Sequence, residues 1–139
     1  MTLLECVDNI MAICSVQPNV NTAAEGDVYN ILNGNPATEF SAMVLTQRPH
    51  FEPTPDMRRY GFYLFYVDLL KSDKSNKLQV QSQAIETLSN VLAGIGEFAD
   101  ISGVVYNTFT EKFTAECAGA YAEFLIEVPN NNECYEDYA

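Results

Sequence analysis

Residues 58–70, Arg-Arg-Tyr-Gly-Phe-Tyr-Leu-Phe-Tyr-Val-Asp-Leu-Leu, constrain the fold more than any other stretch of the chain. A run this rich in aromatic side chains favours extended backbone. Successive side chains of a strand point to opposite faces. Tyr60, Phe62, Leu64 and Tyr66 therefore share one face, and Gly61, Tyr63, Phe65 and Val67 share the other. A strand with one wet face would alternate apolar and polar residues, and this one is apolar on both sides. If helices cover one face of an antiparallel sheet, something else has to cover the second. A neighbouring copy of the chain is the simplest candidate, because rich exposed apolar patches mark interaction sites. Tyr63 and Phe65, with Tyr121, are the expected subunit-interface residues. Intramolecular core is the alternative for each, because the pattern leaves open which face the helices take. Phe65→Asp is expected either to unfold the chain or to leave it folded and unable to assemble.

The rest of the chain supplies elements to pack on that strand. Leu3, Leu4, Val7, Ile10, Met11 and Cys14 recur at helical spacing, predicting a helix from Leu3 to about Val16. Thr2 and Glu5 match a capping box at its start, and Gln17-Pro18-Asn19 stops it. Residues 17–38 read as irregular, with Val28–Leu32 as an edge strand and a turn at Asn33-Gly34-Asn35-Pro36. A second strand is expected over Phe40–Gln47. A helix is expected from Asn76 to about Phe98, capped by Ser75 or Asn76, with a stripe of Leu78, Ile85, Leu88, Leu92 and Ile95 against the sheet. Gly94-Ile95-Gly96 reads as its C-cap. Strands follow at Ile101–Thr110 and Ala118–Val128, the latter with the cleanest period-two pattern in the sequence. The predicted fold class is α+β, an antiparallel sheet of four to five strands with two helices on one face. Residues 1–128 form the domain and 129–139 a mobile acidic tail. Arg48–Asp56 holds three prolines in nine residues and is expected to project as a stiff loop. Pro49, His50, Phe51, Pro53 and Pro55 are its candidate contacts, and an ordinary variable surface loop is the alternative.

Composition excludes several classes. At 139 residues and 47% apolar content, one domain can bury roughly two-thirds of its unfolded surface. Lys+Arg 7 against Asp+Glu 19 leaves a formal charge of −12, the wrong sign for a protein that grips phosphates. Arg58-Arg59 and the lysines at 71, 74 and 77 do not make a basic stripe. The longest apolar stretch is too short to cross a bilayer, and the N-terminal residues lack the basic region of a signal peptide, so a cytoplasmic origin is expected. Cys6, Cys14, Cys117 and Cys134 show no CxxC spacing, and His50 is far from all of them in sequence. They read as small hydrophobes, with no metal or cofactor expected. No Ser-His-Asp spacing, GxxxxGK or GxGxxG is present, and an enzyme is not expected. Glu111 with Glu116, and Glu123 with Glu127, are the carboxylate pairs that acid–base work would use, and solvated surface carboxylates are the plainer assignment. Glu136 and Asp137 are a weak candidate for holding a divalent cation.

The stretches Arg59–Asp68, Ser75–Ser82 and Phe109–Gly119 resemble a family of small structural proteins of Bacteroides phages and prophages, including crAss-like phages. The likeness runs from the first helix to the last strand. The order of elements is also similar to that of tail-terminator proteins, which form rings that cap a tail tube or link it to the head. The resemblance implies a virion protein assembled in the host cytoplasm. It implies a homo-oligomeric ring, hexameric or dodecameric, among connector, portal-side and tail proteins, and no membrane partner. In such a ring the 48–56 loop would touch a neighbouring ring. An acidic lumen would let packaged DNA pass without adhesion, since like charges repel. The contrasting reading is a soluble monomeric α+β accessory module outside the virion, either a small-ligand binder or an enzyme.

Overall fold

The structure is a computed structural model and describes residues 2–34, 38–53, 56–113 and 115–129. The chain order is α1 (Leu3–Ser15), β1 (Thr22–Glu25), α2 (Val28–Gly34), β2 (Ala42–Pro53), β3 (Met57–Leu69), α3 (Lys77–Ile95), β4 (Asp100–Lys112) and β5 (Glu116–Pro129). One five-stranded sheet runs β1-β2-β3-β5-β4. The α+β class is as expected, but the sheet is mixed, because β1 lies parallel to β2 while the other pairs are antiparallel.

That parallel pair follows from a misread segment. Val28–Leu32 is not an edge strand; it is the start of α2. Asp27 Oδ1 accepts a hydrogen bond from the Asn30 N–H at 3.0 Å, and the Ile31 N–H donates to the Asp27 carbonyl. Val28 and Leu32, one turn apart, are buried, while Tyr29 and Asn30 are exposed. The helix carries the chain from β1 to a parallel β2, as a crossover must. β1 itself, Thr-Ala-Ala-Glu, has little strand propensity. Its ladder to β2 and the Thr22 hydroxyl, which donates to the Glu39 carbonyl at 2.8 Å, hold it in place.

α1 begins with the predicted capping box. The Thr2 hydroxyl accepts from the Glu5 N–H at 3.1 Å, and the Glu5 carboxylate accepts from the Thr2 N–H at 3.2 Å. The Thr2 N–H, and after it the Thr2 hydroxyl, hold the Glu5 carboxyl below the usual range. α3 is shorter than predicted. Asn76 precedes it but caps nothing with its side chain, which instead accepts from the Lys71 N–H and donates to the Leu69 carbonyl. Its buried stripe is Val80, Ala84, Leu88, Val91, Leu92 and Ile95. Leu78 and Ile85, expected in that stripe, lie outside it, with Leu78 77% exposed. Gly94 sits inside the helix, and Gly96 is its C-cap as expected, although with right-handed backbone and its N–H donating to the Leu92 and Gly94 carbonyls.

α1 and α3 cover one face of the sheet. Beneath them lie Met43 and Leu45 of β2, Tyr60, Phe62, Leu64 and Tyr66 of β3, and Ala120, Ala122, Phe124 and Ile126 of β5. Phe62 and Phe124 pair at its centre, ring centroids 5.9 Å apart. The alanines of β5 and Ala84 of α3 let helix and sheet approach closely. On the opposite face, α2 brings Val28 and Leu32 against Ala42, Val44, Val67, Phe113 and Cys117. The second face is therefore covered at one end by the chain itself, where the sequence suggested a neighbouring copy.

The 48–56 segment is largely strand. β2 continues to Pro53 and pairs with β3 down to Pro53↔Arg58, with a register shift between Gln47 and Phe51. Pro49, His50, Phe51 and Pro53 thus lie in the arm of a long hairpin; Pro55 lies outside the described residues. β2 runs past the end of β1, so it becomes an edge there, where proline is tolerated. Pro129 belongs to β5 opposite Met57, and the tail expected beyond it lies outside the described residues.

Candidate functional site

The half-open end of the second face collects the aromatic side chains. β3 contributes Tyr63 and Phe65, β5 contributes Tyr121 and β4 contributes Phe109. Register brings them together: Phe65 pairs with Tyr121, and Phe109 with Gly119 two residues along. Ring centroids are 5.2 Å apart for Phe65–Tyr121, 6.0 Å for Tyr63–Tyr121, 6.3 Å for Phe65–Phe109 and 6.4 Å for Phe109–Tyr121. Tilted and edge-on arrangements predominate, as the ring quadrupole prefers. All four rings are half-buried. Tyr29 of α2 stacks toward Phe113 at 5.5 Å and closes one side of a cavity of about 320 Å³ that the four rings floor and Glu111 borders.

The three residues assigned to an interface from the sequence, Tyr63, Phe65 and Tyr121, therefore sit together. Phe109, Tyr29 and Phe113 complete the surface and were missed. Arg48 was missed too: its guanidinium lies over the Tyr63 ring at 5.6 Å and forms an ion pair with Glu123 at 3.3 Å. Parity was the available signal. Tyr121 shares its face of β5 with Glu123 and Glu127, and Tyr63 and Phe65 share theirs with Arg59, so charge already marked this side as the one without the helix layer.

Glu123 and Glu127 each have their own protein partners. Glu123 binds Arg48, while Glu127 accepts from Arg59 Nε at 2.8 Å and from the Ser102 hydroxyl at 3.2 Å. These two side chains are engaged by protein partners, which corrects their assignment as solvated. Glu111 stands opposite Cys117, and Glu116 opposite Lys112, with Lys74 3.8 Å from Glu116. Cys6, Cys14 and Cys117 are buried as small hydrophobes, and Cys134 lies outside the described residues. Burial pushes the Cys14 thiol up to about 12 and that of Cys117 up to about 11, and raises that of Cys6 as well. A thiol held protonated is a poor nucleophile and a poor metal ligand.

No family model and no curated protein matches the chain. The geometry thus has to speak through its own chemistry. Among the described residues, no three His, Cys, Asp or Glu side chains gather into a group that could hold a metal ion. No described helix is long and apolar enough to cross a membrane. Two other depressions differ in character. One, along the outer face of α3, is lined by Asn19, Gln79, Gln83, Glu86 and Asn90; the other mixes Lys74, Lys77 and Lys112 with Glu111 and Glu116. The aromatic face offers broad apolar contact with phenol and guanidinium groups at its border, the composition of a protein-contact surface.

Proposed function

We propose that the chain is a structural subunit of a bacteriophage virion, assembling with its own copies into a ring of the head-to-tail connector or tail. One observation carries the contact: Tyr63, Phe65, Phe109 and Tyr121 form a half-exposed cluster on the sheet face that α1 and α3 leave open. Ring contacts are heterologous, one surface of a subunit meeting a different surface of the next. An aromatic patch bordered by the Arg48–Glu123 pair suits such a contact. The likeness of residues 59–68, 75–82 and 109–119 to Bacteroides phage structural proteins supports the setting. The charge of −12 supports a channel wall that passing DNA does not adhere to.

The test is the protein's presence in purified particles, counted against the other virion proteins. A copy number divisible by six is expected, and Tyr121→Ser is expected to fold normally and fail to enter particles. Absence from the virion, together with a small molecule recovered from the cavity beside Tyr29, would instead establish the ligand-binding reading that the cavity favours.

A further inference from the structure

We propose that the β4 edge is a two-fold dimerisation surface, on which a second copy of this chain docks its own β4 antiparallel to form one continuous sheet. β4 is thirteen residues long and, among the described residues, borders only β5, which leaves its outer row of main-chain donors and acceptors without a strand. Edge strands are ordinarily blunted by charge, proline or shortness, because an open ladder invites another strand. The opposite edge shows such guards: β1 has four residues, and the part of β2 beyond it carries Pro49 and Pro53. β4 carries no charge from Ile101 to Thr110, and Val104, Val105 and Tyr106 are exposed. Its one irregularity is a bulge between Ser102 and Val105, where Gly103 takes φ +63°. The strand is regular from Val105 to Lys112.

A second observation lies on the same side of the molecule. Gln81 Nε2 donates to the Phe109 carbonyl at 3.2 Å, and the Ser89 and Tyr106 hydroxyls lie 3.3 Å apart, which fixes the flank of α3 that faces β4. Leu78 and Ile85, two turns apart, point along that flank and are exposed. The surface thus combines an unpaired strand with an apolar helix flank on one side of the sheet. A partner that completes both must present an open strand with a helix on the matching side, and this chain's own edge does so. A two-fold axis normal to the sheet keeps both α3 helices on one face, with Leu78, Ile85 and Tyr106 of each copy between them. The strand is uncharged from Ile101 to Thr110, with Glu111 and Lys112 of opposite sign at its end, so two chains of charge −12 can meet along that stretch without opposing like charges. This surface adjoins the aromatic face, to which β4 contributes Phe109, but it is the strand edge rather than the rings that makes the contact, and the inference does not depend on the ring.

Sedimentation equilibrium of the full chain tests it. A species of twice 15.5 kDa is expected, strengthened by added salt, which screens the remaining repulsion. Val105→Lys and Ile85→Glu change exposed positions, so circular dichroism should show the parent fold. Each substitution enters the contact twice and is expected to raise Kd about a hundredfold or more. Hydrogen exchange should show β4 amides protected in the dimer and released in Val105→Lys. A chain that stays monomeric at every concentration tested, or a dimer that both variants leave intact, overturns the proposal. A hexamer that Val105→Lys dissolves to monomers also overturns it, by placing β4 in a head-to-tail contact.

Discussion

Replacing Gly119 by alanine probes how closely β5 is clasped by its neighbours. Gly119 is buried, opposite Val67 of β3 and Phe109 of β4. A Cβ at this position runs into the main-chain carbonyl of Tyr66, whose carbon would stand at 2.9 Å, and comes within 3.2 Å of the Phe109 ring. The ring can turn aside. The carbonyl cannot, because it belongs to the ladder of the central strand. Alanine restricts the unfolded chain and so favours the variant by about 0.4–1 kcal/mol. Overpacking in a close-packed interior costs about 1–3 kcal/mol. The net expectation is a loss of about 1–2 kcal/mol, or a Tm lower by roughly 3–10 °C for a chain of this length. Urea unfolding should show a lower midpoint with an unchanged slope, since the surface exposed on unfolding is the same. Repeating the substitution in a Phe109→Ala background separates the two contacts. If the Tyr66 carbonyl decides, the cost persists; if the ring decides, it disappears. A Gly119→Ala chain as stable as its parent refutes the close approach of β3 and β5.

Thr2→Ala removes the hydroxyl that caps α1 and should lower stability by about 1 kcal/mol, read from urea unfolding. Cys14 gives a pH signature: its pKa is raised in the fold from 9.0 to about 12, so its contribution is complete below pH 9 and is lost as pH rises toward 12. Three pH units correspond to about 4 kcal/mol, and Cys14→Ala should lack that share of the alkaline loss when the two chains are unfolded across this window. Glu127→Gln weakens the 2.8 Å contact with Arg59 and should cost about 1 kcal/mol or less at this partly exposed pair. A double-mutant cycle should find more coupling there than between Lys74 and Glu116, which are 3.8 Å apart and exposed.

Much of the fold was legible because its signals are local. The capping box at Thr2 and Glu5 and the period-two run of β5 each arise from neighbours within a few residues. Val28–Leu32 was misread because four of its five residues also suit a strand, and the helical evidence rested on a single side-chain bond from Asp27. The 48–56 arm was misread because proline signals a loop unless the strand lies at a sheet edge, and strand order is not a local property. Of the candidate site, Tyr63, Phe65 and Tyr121 could be singled out from alternation. Phe109, Arg48 and Tyr29 could not, because they reach the same surface from other elements.

Sequence alone determined that this chain builds a sheet around a strand apolar on both faces, because alternation along a strand is written in consecutive residues. Only the tertiary structure decided that α2 covers one end of the second face and leaves the aromatic rings at the other half-open. It also decided that Leu78 and Ile85 lie beside a bare strand edge rather than in the core. The physical reason is that burial depends on what stands opposite: Ala84, Ala120 and Ala122 admit a helix close to one face, while Arg48, Arg59, Glu123 and Glu127 hold the other toward water.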